Sequence, residues 1–475
     1  MAQRPRVLMV IPNQRWAFPN TYWSIHPYAV CTLIAMIRDF CEVGFIDANV
    51  DDMSQEEFRR RVADFGPEIV GVSVLSGSYR DAGYRACQVA KELDPRTVTV
   101  MGGVFVTADP RRAMLCPEVD YGVIGEGEYV FPELIRYIRG ERREPPAEGV
   151  VFRSEQGLEV RPQKHYIEDL DALPFPDYSL LDFSKYSTEF KHTVDAPRRI
   201  PYGKIITSRG CPIGCVFCEV EHIAGKRTRC KSPARVIEEI QYMIDHFGIK
   251  SVEFLDDQLL HPRRRFKEIL RRMIEKDWDL VWNAQNVSVF YLDQEMLELM
   301  AASKCAYVSM AVESGSPRVL KEIINKPVDI EHAKKMAAYA RKLGMDTCSL
   351  YVIGFPGETW DEIRQTIRLA EEIGTDYVKI NVAAPFPGTR LFDLAVQTGA
   401  LPPDLDLDRI EWGVSQLNTD QFTADQLNIL RAMEWDRINF ATREKQEKLA
   451  RMMSVSLAEL QKIRRETIDL RLCAN

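Results

Sequence analysis

The sequence of 475 residues has no apolar run long enough to cross a membrane, and its start does not resemble a signal peptide. A membrane-spanning helix needs about 20 mostly apolar residues, whereas the first ten residues predict the beginning of a strand. A basic excess is also absent, because the formal net charge is −8, so nothing indicates a nucleic-acid-binding surface. We therefore expect a cytoplasmic protein with neither a membrane nor a nucleic acid as its partner.

Paired cysteines are scarce as well. The chain has 11 cysteines, an odd number, and most are scattered singly, which is typical of a reducing compartment where thiols stay free. We predict that the scattered thiols in apolar surroundings are small buried side chains. These are Cys31, Cys41, Cys87, Cys116, Cys305 and Cys348.

Three cysteines do stand together, in the segment Cys211-Pro-Ile-Gly-Cys215-Val-Phe-Cys218. Three thiolates on one loop can hold three irons of a cubane cluster, whereas a fully protein-ligated cluster uses four. The fourth iron would then be open to an exogenous ligand. The alternative is a structural zinc site, for which His222 or Cys230 could supply a fourth ligand, but a second C-x2-C pair is missing.

Residues 1–145 alternate short Val- and Ile-rich strands with helical patterns, which predicts an α/β fold with a doubly wound, Rossmann-like parallel sheet. Ligands of such sheets bind at the carboxyl ends of the strands. After the third, fourth and fifth strands the loops contain small residues and glycines, which allow a large flat or phosphate-bearing ligand to approach the backbone. The candidate ligand-binding residues are Ser73, Ser76, Ser78, Gly102, Gly103, Thr107, Gly125, Glu126 and Gly127.

The rest of the chain divides into three parts. Residues 146–200 carry several prolines and predict an irregular connector. Residues 201–390 repeat a strand–helix unit about six times, which predicts a partial (β/α)6 TIM barrel with its catalytic groups at the carboxyl ends of the strands. Residues 391–475 are charged and predict a helical C-terminal cap.

The spacing C-x3-C-x2-C, with Phe217 before the last cysteine, resembles the signature of the radical S-adenosylmethionine (SAM) enzymes. The resemblance continues along the predicted barrel, where Asp256 and Asp257 match a strand end that contacts the amino group of SAM. It implies a [4Fe-4S] cluster on Cys211, Cys215 and Cys218, and SAM at several strand ends. The implied SAM contacts are Phe217, Asp256, Asp257, Gln285, Glu313, Ser314 and Gly354.

The N-terminal loops together resemble the cobalamin-binding domain that precedes many radical SAM cores. One feature departs from the methionine-synthase-like pattern, because the loop after the first strand lacks the motif D-x-H-x-x-G, whose histidine binds cobalt. His26 is the only histidine before residue 165, and we predict that it is not a cobalt ligand.

The resemblance implies a cobalamin-dependent radical SAM enzyme, and we expect a methyltransferase acting on an unactivated carbon or a phosphinate. In that family a 5′-deoxyadenosyl radical removes a hydrogen from a small-molecule substrate, which then takes the methyl group from methylcobalamin. An electron donor such as flavodoxin or ferredoxin is implied as a partner. The alternatives are an oxidative cyclase or ring-rearranging enzyme with the same cofactors, a methylthiotransferase, and a zinc-stabilised binding module.

Overall fold

The computed structural model describes residues 4–17, 26–188, 199–402, 405–410 and 413–472. The chain divides into two compact units. The first unit comprises the residues up to Tyr186 together with Glu221–Gly225 and Leu407–Arg409, and the second unit comprises the remainder. No helix in the described ranges is long and apolar enough to span a bilayer.

The first unit is built on a seven-stranded sheet with the order β2-β1-β3-β4-β5-β6-β7. The strands are β1 (Arg6–Ile11), β2 (Glu42–Asp47), β3 (Ile69–Ser73), β4 (Val98–Gly102), β5 (Tyr121–Val123), β6 (Val150–Ser154) and β7 (Gly157–Arg161). The first five strands are parallel, and β1 lies between β2 and β3. The predicted doubly wound α/β sheet is therefore confirmed, with the order of the strands reversing beside β1.

Helices cover both faces of this sheet, as the apolar, doubly buried strands require. They are α1 (Tyr28–Ile37), α2 (Gln55–Phe65), α3 (Arg80–Leu93), α4 (Val104–Ala108), α5 (Pro110–Ala113) and α6 (Gly127–Ile138). Residues of α1 and α6 pack in one hydrophobic cluster with one face of the sheet. Residues of α2, α3 and α4 pack in a second cluster on the other face. Both faces of the sheet are thus buried, which fixes the carboxyl ends of the strands as the edge where loops can meet a ligand.

The connector expected to be irregular over residues 146–200 contains a β-hairpin, so that prediction was wrong in part. Strands β6 and β7 pair antiparallel, and β6 extends the sheet beside β5. The buried run Val150-Val151-Phe152 supplies the apolar side chains of the hairpin. Prolines before the hairpin obscured this short strand signal in the sequence, because proline is typical of loops.

The second unit contains a partial barrel, and its fold class is confirmed. The strands are β8 (Tyr202–Ile205), β9 (Ser208–Arg209), β10 (Arg229–Cys230), β11 (Ser251–Phe254), β12 (Val281–Ala284), β13 (Val287–Ser288), β14 (Tyr307–Glu313), β15 (Asp346–Ile353) and β16 (Tyr377–Val382). Parallel pairing joins β8, β11 and β12 in one group and β13 to β16 in another. A single parallel bridge between Trp282 and Cys305 links the two groups.

The helices of the second unit alternate with these strands and continue beyond them. They are α7 (Val220–Ala224), α8 (Pro233–Phe247), α9 (Arg263–Lys276), α10 (Gln294–Ala302), α11 (Ile330–Lys342), α12 (Trp360–Ile373), α13 (Arg390–Gln397), α14 (Ala424–Asn439), α15 (Arg443–Met452) and α16 (Leu457–Leu472). Four residues of α7 belong to the first unit. Helix α8 begins as the sequence predicts, because the Ser232 side chain accepts a hydrogen bond from the backbone N–H of Arg235 and proline fits the first turn.

Candidate active site

The three clustered cysteines lie on the loop that follows β8 and β9. Gly210 and Gly214 have φ angles of 83° and 66°, which glycine adopts without strain and which let the loop turn back on itself. Burial, with a smaller effect of the neighbouring cysteines, raises the pKa of Cys215 to about 11 and that of Cys218 to about 12. Only the deprotonated thiolates bind a metal, so binding one here would release protons.

A cluster and a mononuclear zinc ion need different arrangements of their ligands. Within the described residues, no three side chains of histidine, cysteine, aspartate or glutamate converge on a point that could hold one metal ion. A structural zinc ion needs such convergence, since all of its ligands bind a single atom. In a cubane cluster each cysteine binds a different iron, so the three sulfurs can stay further apart.

The segment that follows β14 holds the cysteine loop in place. The side-chain Nδ2 of Asn325 donates to the carbonyl oxygens of Ile213 and Gly214, at 3.2 Å each. The backbone N–H of Val216 donates to the carbonyl of Ile324 at 2.9 Å. Asn325 ends a short π-helix, Val319–Ile324, in the left-handed conformation, and π-turns are frequent at functional sites. The loop is therefore anchored to the segment that follows β14.

A cavity of about 220 Å³ lies beside this loop in the second unit. Three of the predicted SAM contacts line it: Phe217, Asp257 and Glu313. The rest of the lining combines amide and hydroxyl groups with aliphatic side chains. The polar members that the sequence reasoning missed are Gln258, Asn286, Ser288, Lys326 and Asn381.

Glu313 reaches the cavity because the backbone bends at the end of β14. The pairing of β14 with β15 shifts register between Ala311 and Glu313, and Glu313 has a φ of 70°. A non-glycine residue in this conformation is strained, and such strain is common at functional sites. Bulges likewise redirect a side chain. Here the result is a carboxylate that lines the cavity.

Glu313 forms a buried ion pair with Lys326 across the cavity wall. The Nζ of Lys326 lies 2.5 Å from the Oε1 of Glu313, and both side chains are less than one-tenth exposed. Burial lowers the pKa of Lys326, but the Glu313 carboxylate and the neighbouring cysteines together raise it above its usual value. The contact fixes the direction of the Glu313 carboxylate.

The two adjacent acids after β11 have different positions. The carboxylate of Asp256 accepts hydrogen bonds from the hydroxyls of Thr207 and Ser208, at 2.6 Å each, and Asp256 does not line the cavity. Asp257 lines it and accepts a 2.7 Å hydrogen bond from the backbone N–H of Gly210. Burial raises the pKa of Asp257 to about 6. Of the two, Asp257 has the position suited to a SAM contact.

Three further predicted SAM contacts, Gln285, Ser314 and Gly354, lie off the cavity lining. Ser314 is buried and shares a hydrogen bond of 3.1 Å with the hydroxyl of Thr366 on α12. The N–H of Gly354 donates to the carboxylate of Glu358 at 2.6 Å. Gln285 directly precedes the lining residue Asn286. These residues are not part of the lining, and their contact with SAM remains a prediction.

The predicted cobalamin-binding residues lie at one edge of the first unit. Strands β3, β4 and β5 are neighbours, and Ser73 pairs with Gly102 across β3 and β4. Thr107 joins two of the loops, since its hydroxyl accepts from the N–H of Gly125 at 2.9 Å and donates to the carbonyl of Gly103 at 3.1 Å. Sheet order thus brings the three loops together, as the sequence reasoning expects.

Within this group Glu126 has an internal role. Its carboxylate accepts a 2.7 Å hydrogen bond from the N–H of Ile167, and its own N–H donates to Gln163 at 2.8 Å. Ser76 likewise accepts from the backbone N–H of Ser78 at 3.4 Å and begins a short turn of helix. Glu126 therefore holds the segment after β7 in place by hydrogen bonds. Whether it also contacts a cofactor remains a prediction.

His26 lies in an aromatic cluster. Its ring is 1% exposed, and its centroid is 5.1–5.4 Å from the rings of Tyr178, Phe183 and Tyr186. An imidazole enclosed in this way packs against aromatic rings, and that it is not a cobalt ligand stays a prediction.

Comparison with known proteins shows which families this chain resembles. The family model of the Radical SAM superfamily matches residues 205–370, and that of the B12 binding domain matches residues 20–135. An uncharacterized methyltransferase of Pyrococcus horikoshii is 32% identical over 399 residues, which are 83% of this chain and 84% of the relative. Cytidylyl-2-hydroxyethylphosphonate methyltransferase of Streptomyces wedmorensis is 28% identical, covering 77% of this chain and 73% of the relative. Anaerobic magnesium-protoporphyrin IX monomethyl ester cyclase of Rubrivivax gelatinosus is 26% identical, covering 82% and 69%.

Two solved structures share the fold. The cobalamin-dependent SAM radical enzyme OxsB has a TM-score of 0.74 at 16% identity, covering 98% of this chain and 72% of that one. The radical SAM methyltransferase TsrM from Kitasatospora setae has a TM-score of 0.69 at 20% identity, covering 84% and 77%. The chain belongs to the cobalamin-dependent radical SAM enzymes. Its cofactors are a [4Fe-4S] cluster, SAM and cobalamin.

Proposed function

We propose that this enzyme methylates an unactivated carbon, or a phosphinate, of a small-molecule substrate. The observation that carries the proposal is the cavity beside the cysteine loop, which is lined by Phe217, Asp257 and Glu313 together. Two of the relatives are methyltransferases, and one of these is named for a phosphonate.

Each side chain at the cavity has a role in this proposal. Cys211, Cys215 and Cys218 hold the cluster and leave one iron open for SAM. Asp257 accepts a hydrogen bond from the ammonium group of SAM, and Glu313, held by Lys326, faces the polar part of the same molecule. Asp256, Ser314 and Gly354 shape the wall from behind, and Gln285 positions the neighbouring lining residue.

When bound, the cluster and SAM supply a one-electron bond cleavage that removes a hydrogen atom from substrate, and cobalamin supplies a transferable methyl group. The aliphatic lining of the cavity, including Leu350, Val352 and Val382, excludes water from that reaction. A one-electron carrier of the flavodoxin or ferredoxin class supplies the electron.

The loops after β3, β4 and β5 would hold cobalamin at the edge that they form. Ser73, Ser78 and Thr107 offer hydroxyls there, and the glycines let the corrin or its nucleotide tail approach the backbone. In this proposal residues 1–145, extended by the β6–β7 hairpin, bind cobalamin, the rest of residues 146–200 connect, 201–390 carry the radical chemistry, and 391–475 form a cap.

The test is anaerobic turnover of the reconstituted enzyme with candidate phosphinate and aliphatic substrates and with SAM carrying a deuterated methyl group. We expect product with one added labelled methyl group, together with both 5′-deoxyadenosine and S-adenosylhomocysteine. The matched control is Cys215→Ala, which should form no 5′-deoxyadenosine. Product without the label would contradict methyl transfer.

An oxidative cyclase is the second candidate, and the 26% identity to the magnesium-protoporphyrin IX monomethyl ester cyclase supports it. A cyclase consumes SAM without forming S-adenosylhomocysteine, because no methyl group leaves SAM. Its product has lost hydrogen and has gained no carbon. The same turnover experiment therefore separates the two candidates by product mass and by the fate of SAM.

A further inference from the structure

Gln258 is a buried polar residue next to the cysteine loop. It follows Asp256 and Asp257 at the carboxyl end of β11, is 4% exposed and lines the cavity. A buried amide is costly unless its hydrogen-bonding groups find partners. The acceptors of its N–H groups therefore indicate what the side chain does.

Both N–H groups of the Gln258 amide have an acceptor. Its Nε2 lies 2.8 Å from the Oγ of Ser288 and 3.9 Å from the Sγ of Cys211. An amide NH2 carries two hydrogens, so one can serve each partner. Ser288 lies on β13, which pairs with β14, so the acceptor that orients the amide is on a strand.

Cys211 is distinguished from the other two cysteines by this contact. Cys211 also accepts a hydrogen bond from the backbone N–H of Ile213, and Cys218 accepts one from the backbone N–H of Val220. The Gln258 amide adds a side-chain donor at Cys211, and a thiolate bound to iron can only accept it. The Gln258 amide therefore contacts the sulfur that would bind one particular iron of the cluster.

We propose that Gln258, oriented by Ser288, is a positioning residue that donates an N–H···S hydrogen bond to Cys211 and raises the reduction potential of the cluster. Hydrogen bonds to the sulfurs are among the factors that set the potential of iron–sulfur clusters. A donor stabilises the reduced cluster more than the oxidised one, since reduction adds negative charge that spreads onto the sulfurs. The inference rests on the proposed role of Cys211 as a cluster ligand.

The test is a redox titration of the reconstituted full-length enzyme with dithionite, followed by paramagnetic resonance of the reduced cluster. One lost hydrogen bond should lower the equilibrium constant for reduction of Gln258→Leu about threefold to tenfold. That corresponds to a fall in midpoint potential of about 30–60 mV, as tenfold is about 59 mV for one electron. Ser288→Ala should shift the potential in the same direction by a smaller amount, because the amide keeps its donor but loses its orientation.

The matched control is Gln241→Leu, the same chemical change on α8, where the amide oxygen accepts from the indole of Trp278 at 3.0 Å. Its potential should equal that of the wild type. An unchanged potential in Gln258→Leu, with normal iron content, overturns the inference and leaves the proposed function standing. If Gln258→Leu does not retain iron, Ser288→Ala decides alone, and an unchanged potential there overturns the inference. A wild type that binds no cluster on this loop would instead refute the proposed function.

Discussion

Substitution of Gly103 should change the stability of the first unit even when no cobalamin is bound. Its φ is 102° and its ψ is −174°, a region that is essentially reserved for glycine. Another residue there costs about 1–3 kcal/mol. A Cβ at this position would also lie 2.4 Å from the backbone oxygen of Val74, and overpacking of that kind costs about another 1–3 kcal/mol. We therefore expect Gly103→Ala to lower the free energy of unfolding by about 2–6 kcal/mol, even without any cofactor.

Gly102 is the matched position. A Cβ there would have its nearest contact at 3.8 Å, to Val123, and the residue does not have a positive φ. Gly102→Ala should therefore change the stability of the cofactor-free protein by less than about 0.5 kcal/mol. A bulkier Gly102→Leu should weaken cobalamin binding, because its side chain enters the proposed cofactor edge.

The assay is urea unfolding of the cofactor-free variants, combined with hydrogen exchange of peptides that cover β3 and β4. Exchange reports local stability, so a loss confined to the first unit is visible even when the second unit is unaffected. Equal unfolding midpoints for Gly103→Ala and the wild type would refute the reasoning. Unchanged cobalamin affinity in Gly102→Leu would instead contradict a cofactor site at this edge.

The remaining predictions concern the cluster, the cobalt and the pH dependence. Each of the variants Cys211→Ala, Cys215→Ala and Cys218→Ala should lose SAM cleavage, whereas Cys230→Ala should keep its iron. Iron analysis checks this, and loss of iron from a folded Cys230→Ala would reveal a fourth protein ligand. Paramagnetic resonance of the cobalt(II) form should show no splitting from a histidine nitrogen, and triplet splitting that disappears in His26→Ala would disprove the prediction. Burial raises the pKa of Asp47 to about 6, so the native state holds this proton more tightly than the unfolded state does, and stability should fall by about 3 kcal/mol as the pH rises from about 4 to about 6. Asp47→Asn should remove that part of the slope in urea unfolding, and an unchanged slope would contradict the assignment.

The sequence was sufficient for the α/β class, the sheet of the first unit and the cysteine loop. Strands buried on both faces must be short and apolar, so their pattern is local and readable, and β1 begins within the first ten residues, as the sequence predicts. The cysteine spacing is also local, since it lies within eight residues. The hairpin β6–β7 was missed because its short apolar run stands among prolines.

The sequence by itself determined which residues could do chemistry, and the tertiary structure decided which of them face the cavity. Asp256 and Asp257 are adjacent and chemically identical, yet one accepts hydrogen bonds from Thr207 and Ser208 and the other lines the cavity, because the loop after β11 brings each to different partners. Lys326 and Gln258 carry no local motif. Their roles depend on contacts between distant segments, as does that of Asn325, which lies 112 positions along the chain from its partner Ile213. Such contacts form only when the strands are side by side, because spacing along the chain does not fix distance in space.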